Sequence, residues 1–89
     1  MAIPIDKVLH LAVGVAIGAL TYVGVHHYLP VATSSDRMLM GVGAAAVIGL
    51  LKEVYDYFHP ATHTAEIADF LATAAGGLIG VVVVNTILG

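Results

Sequence analysis

The 89-residue chain has no cysteine, no tryptophan and only three basic side chains. Without cysteine there is no disulfide framework, no thiolate metal site, no cysteine nucleophile and no lipid-bearing thiol. Lys7, Arg37 and Lys52 are too few to line a phosphate backbone, which excludes a nucleic-acid partner. Charge of either sign is scarce at 10% of residues, against about 25% in an ordinary soluble domain. A soluble chain this short needs a large polar surface around a small core. These residues cannot supply it, so a conventional soluble enzyme is excluded. A disordered segment is excluded too, because it would need low hydrophobicity.

What the chain does have is apolar. Hydrophobic residues make up 60% of it, and the mean hydropathy is +0.99. A helix crossing a bilayer needs about 20 mostly apolar residues, and three stretches reach that length. The first runs from about Pro4 to Leu29, the second from about Asp36 to Phe58, and the third over about 64–88. Pro4 suits a first helical turn, where its missing N–H would have no partner in any case. The third stretch contains Val81-Val82-Val83-Val84, which would favour a strand in water. In lipid the backbone must bond within its own segment, so a helix is expected. No basic segment precedes the first stretch and no small-residue cleavage site follows it, so a retained helix is expected rather than a signal peptide. The two connections are short, which gives an all-α, integral membrane, antiparallel three-helix bundle running up-down-up as a single domain.

In such a bundle the charges gather at one end. Asp6, Lys7, His10, Lys52, Glu53, Asp56, His59, His63, Glu66 and Asp69 fall on one membrane side. Five carboxylates against two lysines leave that side at a formal −3 with the histidines neutral. The other side holds Asp36, Arg37 and His26-His27-Tyr28, and reads as bland. Amphipathic rings such as those of the trio are favoured at headgroup level.

Residues four apart share a helix face, and each helix carries a row of small residues leading to an ionisable one. The rows are Asp6, His10, Gly14, Gly18; then Gly41, Ala45, Gly49, Glu53, Tyr57; then Asp69, Thr73, Gly76 or Gly77, Gly80. Small-xxx-small rows let membrane helices approach closely. Gly-rich helix interfaces are therefore expected, with Asp6, His10, Glu53 and Asp69 converging in the interior. Ionisable groups at that depth cost several kcal/mol unless paired or wetted. Lys7 has the reach to meet a carboxylate or snorkel, and Lys52 can reach Asp56 one turn along its own helix.

Three motifs then stand in order: Asp6-Lys7-Val8-Leu9-His10, Lys52-Glu53-Val54-Tyr55-Asp56, and Asp69 through Gly80. Together they resemble the VanZ-like proteins and the related YfiM-like lipoproteins, which show D-K-x-x-H, then K-E-x-x-D or E-x-x-Q, then D-x3-N-x2-G-x3-G. Thr73 stands where VanZ-like proteins have Asn, and Asp56 where they have Gln, so the pattern is nearer the YfiM-like one. The lipid-bearing cysteine of those lipoproteins is absent. The resemblance implies a bacterial or phage membrane protein, in some relatives linked to glycopeptide resistance, with a family activity that is poorly defined.

The polar cluster Asp6, Lys7, His10, Lys52, Glu53, Asp56 and Asp69 has two readings. Carboxylates beside a histidine can do acid–base work or hold a divalent cation. They can equally form a clasp that fixes helix register. His59-x3-His63-x2-Glu66 is a weaker metal candidate, because Pro60 interrupts the helix that would align the two rings. The glycines lie at helical spacing rather than in a phosphate loop. Ser34 and Ser35 are at the membrane end opposite His10, which excludes a Ser-His-Asp set.

Three functions from different classes remain. One is recognition of a lipid or envelope-precursor headgroup at the acidic end, with membrane lipids as partners. Another is a holin-like pore. The last is a structural or assembly subunit of a larger membrane or virion complex. An enzyme on lipid-linked phosphate ranks lower, for want of a basic phosphate-binding pair. Three short helices have little interior, so a homo-oligomer or larger assembly is an expected state. The expected location is the bacterial inner membrane. The lysines favour an N-terminus on the inside, whereas the lipoprotein resemblance favours the outside.

Overall fold

The computed structural model describes residues 5–59 and 67–88. It contains three α-helices: α1 (Ile5–Tyr28), α2 (Ser34–Phe58) and α3 (Ile67–Leu88). They have 24, 25 and 22 residues, or roughly 33–38 Å at 1.5 Å per residue. Each is long and apolar enough to cross a membrane. The chain is a membrane protein of three antiparallel helices. The Val81–Val84 run is helical, as the need for internal backbone bonding in lipid requires.

α2 starts two residues before the expected Asp36. Thr33 is its N-cap, and a capping box fixes the start. Thr33 Oγ1 accepts from the Asp36 amide at 3.1 Å, and Asp36 Oδ2 accepts from the Thr33 amide at 3.1 Å. Asp36 thus lies inside the first turn, where its charge faces the positive end of the helix dipole. At the other end the His59 amide donates to the Asp56 carbonyl at 3.1 Å. The α1–α2 turn is held by the Leu29 amide on Val25 O and the Ala32 amide on Leu29 O.

α3 is the shared partner. It packs most extensively on α1 and next on α2, while α1 and α2 meet least. Large side chains contribute little to these contacts. Tyr22, Ala45 and Val81 are the fully buried apolar residues among those described, and leucines and isoleucines on all three helices face outward. Lipid tails are as apolar as leucine, so burying leucine against protein gains little there. Close packing of small residues holds the helices instead.

The glycines show how close that packing is. A methyl placed on Gly14 would overlap the Thr73 carbonyl oxygen and lie 3.0 Å from the Gly76 Cα. One on Gly76 would overlap the Leu11 carbonyl oxygen, and one on Gly18 that of Gly77. On Gly80 it would strike the Val15 carbonyl oxygen. α1 and α3 therefore touch backbone to backbone, with glycine Cα–H groups facing carbonyl oxygens. Gly41 meets Val81 and the Gly18 carbonyl, and Gly77 meets Ala45, which brings α2 into the same contact. None of these glycines has a positive φ. The requirement is for absent volume, not for backbone freedom.

Candidate functional site

Asp69 lies in the first turn of α3, where the helix dipole favours a carboxylate. It is buried, and its partners come from α1. Lys7 Nζ donates to Asp69 Oδ1 at 2.5 Å, and His10 Nε2 lies 3.8 Å from Asp69 Oδ2. One helical turn separates Lys7 from His10, so both side chains reach the same carboxylate. Thr73 turns its hydroxyl back to the Asp69 carbonyl at 3.1 Å. That leaves its methyl against Gly49 of α2.

Asp56 is the most deeply buried carboxylate described, at 2% exposure. It sits in the last turn of α2, where the dipole opposes negative charge and which holds no basic residue. Lys52 answers this from one turn earlier, donating to Asp56 Oδ2 at 2.6 Å. Glu53 is half-buried beside it. Ligand atoms of His10, Glu53 and Asp69 all lie within 4.8 Å of one another, one from each helix.

A cavity of about 190 Å³ opens beside this cluster, between α1 and α2 where they pack least. Leu9, Val13 and Ile48 wall it, with Gly49 and Thr73 behind, and His10 and Lys52 mark its polar end. A methyl on Gly49 would press on Thr73 at 3.2 Å and on Phe70 at 3.4 Å, so glycine lets α3 approach α2 here.

The structure brings together Lys7, His10, Lys52, Glu53, Asp56 and Asp69. The Asp6 side chain, His63 and Glu66 lie outside the described residues. Among the packing candidates, Gly14, Gly18, Gly41, Gly49, Gly76 and Gly80 are all buried. One expectation needs correction. Tyr57 does not continue the α2 row inward: it is 71% exposed, and Asp56 takes the interior position. A row of four-residue steps drifts around a helix of 3.6 residues per turn, so after three steps from Gly41 the inward face has moved on. His59 is exposed at the α2 C-cap, stacked on Tyr55 at 4.0 Å, with Nδ1 2.7 Å from the Tyr55 carbonyl oxygen. That places the ring as a helix terminator.

The opposite end is not bland. Tyr22 of α1 is fully buried and donates its hydroxyl to Asn85 Oδ1 of α3 at 2.7 Å. The Arg37 guanidinium of α2 lies 5.2 Å from the Tyr22 ring centroid. It also donates to the Ala32 carbonyl at 2.6 Å and to Ser34 Oγ at 3.3 Å. One side chain from each helix therefore meets here. The signal was present in the sequence: Asn85 is the chain's only amide side chain, set in an apolar run. His26, His27 and Tyr28 are exposed beyond it.

No protein-family model, no curated protein and no solved structure matches this chain.

Proposed function

We propose that this is a bacterial or phage protein of VanZ-like character, acting in the bacterial inner membrane. It binds a lipid or envelope-precursor headgroup at its charged end. The observation that carries this reading is the lateral cavity, in which apolar walls run up to His10 and Lys52. Cavities that take small ligands combine mostly apolar lining with a few placed polar groups. Here Leu9, Val13 and Ile48 suit a chain segment. Lys52 offers a cation to a headgroup, while His10 provides a ring nitrogen able to donate or accept.

Thermal stability in detergent tests the reading. Phosphatidylethanolamine, phosphatidylglycerol and polyprenyl phosphate are each compared with phosphatidylcholine. At least one of the first three is expected to raise the melting temperature above the phosphatidylcholine value. Ile48→Trp, which fills the cavity, is expected to abolish that rise. Equal shifts for all four lipids would overturn headgroup recognition. Loss of membrane potential on expression in bacteria would replace it with a pore. A co-purifying partner without any lipid effect would replace it with an assembly subunit.

A further inference from the structure

We propose that His10, Glu53 and Asp69 form a binding site for one divalent first-row transition-metal ion. The donor set is mixed, one imidazole and two carboxylates, which suits zinc or manganese. Each donor comes from a different helix, so an ion held there would tie the three together at one end. Asp69 is buried and the other two are half-buried, which separates this group from the carboxylates scattered over any surface.

The separations fit a shared ion. Two donors each about 2.0–2.2 Å from one metal lie at most about 4.4 Å apart. His10 Nε2 and Asp69 Oδ2 are 3.8 Å apart, too long for a hydrogen bond and within that span. The three donors all lie within 4.8 Å of one another; a tetrahedral ion holds its donors roughly 3.4 Å apart, so a closing movement of up to about 1.4 Å completes the set. Lys7 binds Asp69 through Oδ1, while it is Oδ2 that faces the histidine. Asp69 can therefore keep its ammonium partner and still offer an oxygen.

Charge favours the ion. The site's two carboxylates, Glu53 and Asp69, carry a formal −2 with His10 neutral. Unbalanced charge near a low-dielectric layer is costly, and a divalent ion reduces the excess. Access is provided by the cavity, which His10 lines. The site does not depend on lipid recognition, because all three donors come from the chain itself.

The test uses the full chain in detergent, stripped with a chelator and titrated separately with zinc chloride, manganese chloride and cobalt chloride. One equivalent is expected to bind. X-ray absorption of the bound ion in the unaltered protein is expected to show a single imidazole and carboxylate oxygens. This readout needs no variant to fold. His10→Gln and Glu53→Gln are each expected to weaken binding about tenfold or more. The double variant His59→Gln/His63→Gln is expected to bind as the unaltered chain does. No saturable binding, two or more imidazoles on the ion, unchanged affinity in His10→Gln, or loss of binding in the His59/His63 variant would each overturn the site. Repeating the lipid comparison with chelator present keeps the two readings apart: a lipid shift that persists while the titrations show no ion overturns only the metal site.

Discussion

At the Lys7 end of the bundle, ammonium groups from α1 and α2 meet carboxylates on α3 and α2. At the Asn85 end, a buried phenol meets an amide, and an arginine lies over the phenol ring. Both arrangements link helices, by different means. The Tyr22–Asn85 bond satisfies two neutral groups, and the Arg37 guanidinium beside it has the Ala32 carbonyl and the Ser34 hydroxyl as neutral partners. The Lys7 end places Asp56 and Asp69 out of solvent, which is costly even when each is paired. A neutral bond would serve equally well to hold helices together. The charged end also adjoins the cavity, and the neutral end contributes no residue to it. The difference separates an end that closes the bundle from an end suited to bind something.

Between the two ends lies the glycine contact, and disrupting it should have the largest effect. Gly76→Leu would drive a side chain into the Leu11 carbonyl of α1, a backbone clash that no rotamer relieves. We expect loss of the folded bundle, read by thermal melts and by cross-linking of α1 to α3 in detergent. Gly43→Leu is the matched control. Nothing lies within 4 Å of its added Cβ, so the melt should stay close to that of the unaltered chain. Equal damage from both would show that the contact is not what holds α1 to α3.

Next comes the charged end. Asp69→Asn removes a buried partner of Lys7, and breaking such a pair costs about 3–5 kcal/mol. We expect an effect toward the lower figure, because Lys7 is partly exposed and can turn to water. The double variant Lys7→Met/Asp69→Leu should recover most of that stability while no longer binding a metal ion. Recovery of stability with metal binding intact would make the charged end a clasp like the other one.

The neutral end should show the smallest change. Tyr22→Phe keeps the ring and removes the hydroxyl that donates to Asn85. Hydrogen bonds between membrane helices average about 0.6 kcal/mol and reach about 1.7. We expect a loss in that range with lipid stabilisation unchanged. A loss as large as that of Asp69→Asn would erase the contrast between the ends.

Much of the architecture is legible in the sequence. Three apolar runs with short connections require three antiparallel helices in lipid, since each segment must satisfy its own backbone. Glycines at four-residue spacing identify the contact faces, because that spacing keeps them on one side of a helix. The gathering of charge at one end follows from the up-down-up path alone. α2 starts two residues before the expected Asp36 because Thr33 is the residue that caps it, with Asp36 closing the capping box from the third helical position.

Partnership within each end was beyond the sequence. Spacing showed that Lys52 can reach Asp56, a pair one turn apart on the same helix. It did not show that Lys7, rather than another cation, takes Asp69 sixty-two residues away. It also left Tyr22 and Asn85 as unconnected polar residues in apolar runs. Composition and periodicity set which residues can lie in a membrane and which face of a helix they share. The rotation and axial offset of three packed helices decide which of those faces meet, and in this chain they follow from where glycine allows two backbones to touch.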